Sequence, residues 1–77
     1  MRALVTGAGG FIGRRLVFSL MAKGYAVRGL YLPEEDAEAA ISHGVEVTRG
    51  DLTDPTTLEG IANGVTVVFH LAARVTD

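Results

Sequence analysis

The chain contains no cysteine, which removes disulfide staples and thiolate metal sites from consideration. Long hydrophobic runs are also missing. The longest, Val65 to Leu71, falls far short of the roughly 18 residues that a membrane-spanning helix needs. An apolar start limited to Ala3, Leu4 and Val5 is too short for a secretory leader. Basic charge is scarce and dispersed: seven Lys and Arg stand against nine Asp and Glu, with Arg14 and Arg15 paired and the others scattered. A net charge of −2 so distributed speaks against an electrostatic nucleic-acid surface. No Gly-Lys-Ser/Thr triplet occurs, which excludes a Walker A phosphate loop. These absences predict a soluble, cytoplasmic protein with neither nucleic acid nor membrane as a partner.

What is present is apolar and rich in glycine. Of the 77 residues, 48% are hydrophobic, too many for a disordered segment, and ten are glycine. One domain at most fits this length, and a domain of such size buries only about 60% of its unfolded surface. The core must therefore be small.

Hydrophobic periodicity divides the chain into alternating strands and helices. Ala3-Leu4-Val5-Thr6 is a short apolar run closed by glycine, the pattern of a buried strand. From Phe11 to Lys23 the period becomes helical. Gly13, Leu16, Val17, Leu20 and Met21 gather on one side, and Arg15, Ser19 and Lys23 on the other, with Gly24 as the stop. Ala26 to Leu32 reads as a second strand ended by Pro33. The segment EEDAEAAISHG, residues 34–44, reads as a helix with acids in its first turn. Val45 to Thr48 is a third strand. Thr53-Asp54-Pro55 supplies a helix start, and Leu58 and Ile61 an apolar edge up to Gly64. Val65 to Leu71 is a fourth strand whose near-continuous apolarity predicts burial on both faces.

The order β-α-β-α-β-α-β implies an α/β fold with a parallel sheet. Right-handed crossovers with a reversal after the third strand give the strand order 3-2-1-4, part of a Rossmann-like sheet with its switch-point strand.

Four glycines crowd between the first strand and the first helix, in VTGAGGFIGRRL. The spacing G-x-G-x-x-G from Gly7 fails, because Ile12 holds its last place, whereas Gly7, Gly10 and Gly13 satisfy G-x-x-G-x-x-G. Such a loop suits a dinucleotide pyrophosphate: one glycine makes the tight turn, one lets backbone approach the phosphates, and one lets helix and strand pack closely. Free amides at the helix start then bind the phosphates. A strand-to-helix turn without a ligand is the competing reading, and the β-α-β context favours the dinucleotide.

TGAGGFIG at Thr6–Gly13, GDLTD at Gly50–Asp54 and VFHLAA at Val68–Ala73 together resemble the amino-terminal part of an extended short-chain dehydrogenase/reductase. That family contains NAD(P)-dependent sugar epimerases and dehydratases, dihydroflavonol reductases and 3β-hydroxysteroid dehydrogenases. The ending HLAARVTD leans toward the reductase and hydroxysteroid dehydrogenase branch. The resemblance implies that residues 1–77 are the N-terminal part of an NAD(P)-binding Rossmann domain. It implies that Gly7, Gly10, Phe11, Ile12 and Gly13 line a pyrophosphate loop. By the same resemblance Asp51 and Leu52 contact adenine, and Leu71, Ala72 and Ala73 border the nicotinamide-side ribose. Asp51 has a second reading, as a cap for the turn that follows it.

Two departures from the family pattern matter. Where an acid for NAD or an arginine for NADP is usual at the end of strand two, Tyr31 and Leu32 stand instead. Glu34 and Glu35 lie close behind and favour NAD, a solvated helical turn being their other reading; Arg14 or Arg15 would serve NADP. The cofactor is thus expected to be NAD or NADP, with NAD ahead. The family's catalytic Tyr-x-x-x-Lys pair is also missing: four residues beyond Tyr25 and Tyr31 stand Gly29 and Glu35. His43 and His70 are isolated and read as structural. The chain is expected to be the cofactor-binding piece of a longer enzyme. The alternative is a stand-alone nucleotide-binding or regulatory module that associates with a partner, as a homodimer through the exposed sheet face or the edge of strand four.

Overall fold

The computed structural model describes residues 1–71. Strand β1 (Arg2–Thr6) leads into helix α1 (Phe11–Ala22), then β2 (Ala26–Tyr31), helix α2 (Glu38–Ser42), β3 (Glu46–Arg49), a 3-10 turn (Pro55–Leu58) and β4 (Val67–His70). The four strands form one parallel sheet in the order β3-β2-β1-β4. This is the Rossmann-like order expected from the alternation of elements.

Strand alternation separates two faces. Ala3 and Val5 of β1, Val27 and Tyr31 of β2, and Val45 ahead of β3 point into a core closed by Val17 and Leu20 of α1 and by Ala37 and Ala40 at α2. Each fully buried side chain of the size of Val17 or Leu20 contributes about 1.5–3 kcal/mol, so this small core has few residues to spare. Helix α1 ends as its spacing predicts: the Gly24 amide donates to Met21 O at 3.0 Å and the Tyr25 amide to Leu20 O at 3.1 Å.

The opposite face is held differently. Arg28 of β2 is buried, and its Nη1 donates to the carbonyls of Ile61 and, at 2.9 Å, Asn63. Its Nε lies 3.2 Å from Glu46 Oε2, near enough for an ion pair but at an angle that makes no hydrogen bond. A guanidinium thus ties the segment after the 3-10 turn onto the sheet, where a helix was expected.

Three expectations need correction. The helix predicted over residues 34–44 is confined to Glu38–Ser42. Its acids are spent on local turns instead, since Glu35 Oε1 accepts from the Leu32 amide and Asp36 Oδ1 from the Glu38 amide, bonds that compete with a helical ladder. The helix predicted from Pro55 toward Gly64 is only a 3-10 turn. Asp54 does cap it, accepting from the Thr56 amide at 3.2 Å, but Gly60 and Gly64 adopt φ of 75° and 76°, left-handed values that no helix can propagate. Strand β4 is shorter than predicted and is not buried on both faces: Val68 is 52% exposed. Among the described residues no helix covers its outer face or edge. No helix among them is long and apolar enough to cross a membrane.

Candidate functional site

Parallel strands place all their carboxyl ends on one side, and there the loops after β1, β2 and β3 and the residue after β4 enclose a cleft of about 340 Å³. Of the residues singled out in the sequence, Gly7, Gly10, Asp51, Leu52 and Leu71 line it. Residues from both ends of the chain are therefore brought to one site by the sheet order alone. Phe11 and Ile12 lie beside it at the start of α1, 69% and 67% exposed, and Gly13 is buried beneath. Ala72 and Ala73 lie outside the described residues.

The glycine loop has the geometry of a close approach. Gly7 turns the chain with φ of 71°, and the Gly10 amide donates back to its carbonyl at 3.1 Å. A Cβ on Gly13 would stand 2.0 Å from Gly7 O, 2.8 Å from Gly7 C and 2.9 Å from Ala8 Cα, all backbone atoms. Only glycine lets α1 start this close to β1. The helix begins at Gly10 with no side-chain cap and no acid in its first turn. Its first-turn amides therefore carry the positive end of the helix dipole toward the cleft without a carboxylate of the helix itself to answer them.

Asp51 is positioned by the Gly50 amide, which donates to Tyr31 O at 3.0 Å and extends the β2–β3 pairing. Its Oδ1 accepts from the Thr53 amide at 2.9 Å and from Thr53 Oγ1 at 2.8 Å, so the turn-capping role is made. Leu71 is fixed on the other side: its amide donates to Thr6 Oγ1 at 3.1 Å and Thr6 O at 3.3 Å, and Thr6 Oγ1 lies 2.9 Å from His70 Nδ1. His43 is likewise engaged by the fold, with Nδ1 2.7 Å from Ala39 O and its ring edge-on to Phe18.

Leu30, Leu32, Glu35, Gly50 and Thr53 complete the lining. Gly50 and Thr53 belong to the GDLTD motif but had no role assigned, and Leu30 gives no sequence signal beyond strand apolarity. Of Glu34, Glu35 and Asp36 after β2, only Glu35 lines the cleft. Arg14 instead borders a separate depression with Tyr31 and Asp36, and Arg15 lies over the Phe11 ring at 5.4 Å. Tyr31 is 2% exposed, and its phenol is pushed above its ordinary value, first by burial and then by the Glu35 carboxylate, against the pull of Arg49 and Arg14.

Known proteins share this fold. The NAD dependent epimerase/dehydratase family matches residues 3–77. A 4-hydroxy-2-methyl-3-oxo-4-farnesyl-3,4-dihydroquinoline-1-oxide ketoreductase of Stigmatella aurantiaca is 43% identical over 82 residues, covering 100% of this chain and 24% of the relative. The UDP-glucose 4-epimerase of Thermus thermophilus, solved in complex with NAD, superposes with a TM-score of 0.81 at 38% identity, over 99% of this chain and 25% of that one. AtPrR2, solved with NADP+ and (+)pinoresinol, does so with a TM-score of 0.78 at 29% identity, over 96% and 26%. The chain spans about a quarter or less of the length of the curated relatives it matches.

Proposed function

The chain belongs to the NAD dependent epimerase/dehydratase family, within the extended short-chain dehydrogenases/reductases, and from that membership we propose that it is a nicotinamide-dinucleotide-binding segment. In this reading its 77 residues are the N-terminal part of an NAD(P)-binding Rossmann domain of an oxidoreductase, epimerase or dehydratase. The observation that carries it is the contact between Gly13 and the Gly7 carbonyl. A side chain there would collide with the Gly7 and Ala8 backbone and push α1 off β1, so this contact is what keeps the start of α1 close to the glycine loop.

The pyrophosphate would lie on the amides of Gly10 to Gly13, with Gly7 making the turn and Phe11 and Ile12 flanking it. The Asp51 carboxylate would accept from the adenine amine, with Leu52 against the ring. Leu71, with Ala72 and Ala73 after it, would border the nicotinamide-side ribose. NAD is the form favoured, because the acids Glu34 and Glu35 follow the end of β2, where an acid goes with NAD and an arginine with NADP. When bound, the nicotinamide ring supplies a hydride acceptor or donor. This chain's residues bind and orient it. They do not include a Tyr-x-x-x-Lys pair, and Tyr31 is locked in the core. The reading also holds that the uncovered edge of β4 supports self-association.

Calorimetric titration of NAD and NADP into the folded chain tests the proposal. Saturable binding of at least one is expected; no binding of either by a folded sample would refute it.

A further inference from the structure

We propose that residues 51–65 form a strap over the sheet that opens on its own, with Arg28 as its latch, and that a dinucleotide in the cleft closes it. The opening stands on the chain's own bonds, whereas its coupling to a ligand rests on the cofactor reading above. Both ends of the stretch are anchored: the Gly50 amide donates to Tyr31 O at 3.0 Å, and the Thr66 amide to Arg2 O at 2.9 Å. Between these anchors the backbone bonds among the described residues are local. The Asp54, Ile61, Asn63 and Val65 amides each reach back three residues, to the carbonyls of Asp51, Leu58, Gly60 and Ala62. No described side chain from Asp51 to Thr66 is buried, and none belongs to the core cluster.

Arg28 makes the crossing from the sheet. Among the described residues, its Nη1 supplies the hydrogen bonds that tie the stretch to β2, to the carbonyl of Ile61 and, at 2.9 Å, to that of Asn63. They hold the stretch against the face of the sheet turned away from α1, where Leu4 and Leu30 are buried beside Arg28. Release therefore uncovers that face and leaves the core under α1 shut. The guanidinium is not stranded by it, because Glu46 of β3, 3.2 Å from Nε, stays with the sheet. A unit with few buried apolar contacts and exposed, local hydrogen bonds opens at a lower free energy than the whole domain. Leu52 and Thr53 at the start of the strap line the cleft opposite Gly7 and Gly10. Opening draws this wall away, so a ligand held between the wall and the glycine loop binds the closed form and, by mass action, keeps it closed.

Native-state hydrogen exchange, read by NMR at a series of low urea concentrations, tests the strap in the unaltered chain. The Asp54, Ile61, Asn63 and Val65 amides should share one level of protection, about tenfold or more below the amides paired in β1 and β2, and it should change little with urea because a small opening exposes little surface. Protection and urea dependence equal to those of β1 and β2 would overturn the inference, since the strap would then open only with the whole domain. Arg28→Met should lower the protection of all four amides by one common factor of about tenfold or more, the scale of hydrogen bonds lost from a charged donor, with the α1 amide shifts in place to show a folded sheet. Protection that differs from amide to amide and ignores Arg28→Met would overturn the latch. NAD at about ten times its dissociation constant should slow exchange in the strap about tenfold. Bound NAD that leaves those rates unchanged would overturn the coupling while the cofactor reading stands. A folded chain that binds no NAD would overturn the cofactor reading and the coupling together, with the strap itself decided by the exchange data.

Discussion

Replacing Gly13 with alanine puts two effects of opposite sign on one atom. Alanine in a helix is worth about 1 kcal/mol over glycine, so propensity alone predicts a more stable protein. The new Cβ, however, would sit 2.0 Å from Gly7 O and under 3 Å from Gly7 C and Ala8 Cα. Ordinary carbon–oxygen contact needs more than 3 Å, and none of these backbone atoms can swing aside as a side-chain tip would. Relief requires moving the start of α1 away from β1 by about 1 Å, which loosens the packing of Val17 and Leu20 on Val5 and Val27. Overpacking of this kind costs about 1–3 kcal/mol, and more against backbone, so a net loss of about 2 kcal/mol is expected after the propensity gain. For a chain of this length, with about 4–12 kcal/mol in total, that is a large share. Urea unfolding followed by circular dichroism reads it directly. Gly10→Ala is the partner experiment: its Cβ meets only Gly7 O, at 3.5 Å, and Gly10 has φ of −80°, so folding should change by less than about 1 kcal/mol. Dinucleotide affinity should nonetheless fall about tenfold or more in both variants, because each methyl intrudes on the phosphate approach or displaces the loop. A Gly13→Ala protein as stable as wild type would refute the packing argument.

Arg28→Met should cost about 2–3 kcal/mol in urea unfolding, since the carbonyls of Ile61 and Asn63 lose a charged donor, and Arg28→Lys should restore little of it because the lysine side chain, one atom shorter, ends before the place that Nη1 holds. Raising the pH should destabilise the chain through Tyr31. Its folded pKa lies above the ordinary value of 10.0, so its contribution is whole below about pH 10 and is lost as the pH rises through the folded value. Tyr31→Phe should abolish that alkaline loss in unfolding curves recorded between about pH 9 and 12. Val68→Lys on the exposed edge strand should lower self-association, so that sedimentation of the wild type shows concentration-dependent mass and the variant a monomer; a wild type that stays monomeric would refute the edge proposal.

The parts of the fold legible in the sequence are those where local pattern and packing agree. Strands β1 and β2 and helix α1 follow from apolar period and glycine stops, and the order 3-2-1-4 from alternation with right-handed crossovers. The parts that were not legible are those where side chains compete with the backbone. Glu35 and Asp36 read equally well as a first helical turn, and only the fold reveals that they bond the Leu32 and Glu38 amides instead. Gly60 and Gly64 cut a predicted helix to a single turn. At the candidate site, Gly7, Gly10, Asp51, Leu52 and Leu71 converge as their motifs suggest. The contact between Gly9 and Glu35 carries no sequence signature, because it depends on how the turn after β2 folds back.

Amide-resolved NMR of the uniformly 15N-labelled chain during titration with NAD tests the assignment of the cleft most directly. The largest shifts are predicted at Gly7 and at Gly10 to Gly13, with further shifts at Leu32, Asp51, Leu52 and Leu71, while the amides of α2 stay fixed. Saturable shifts confined to another face of the sheet, or none at all in a folded sample, would contradict the assignment of the cleft to a dinucleotide.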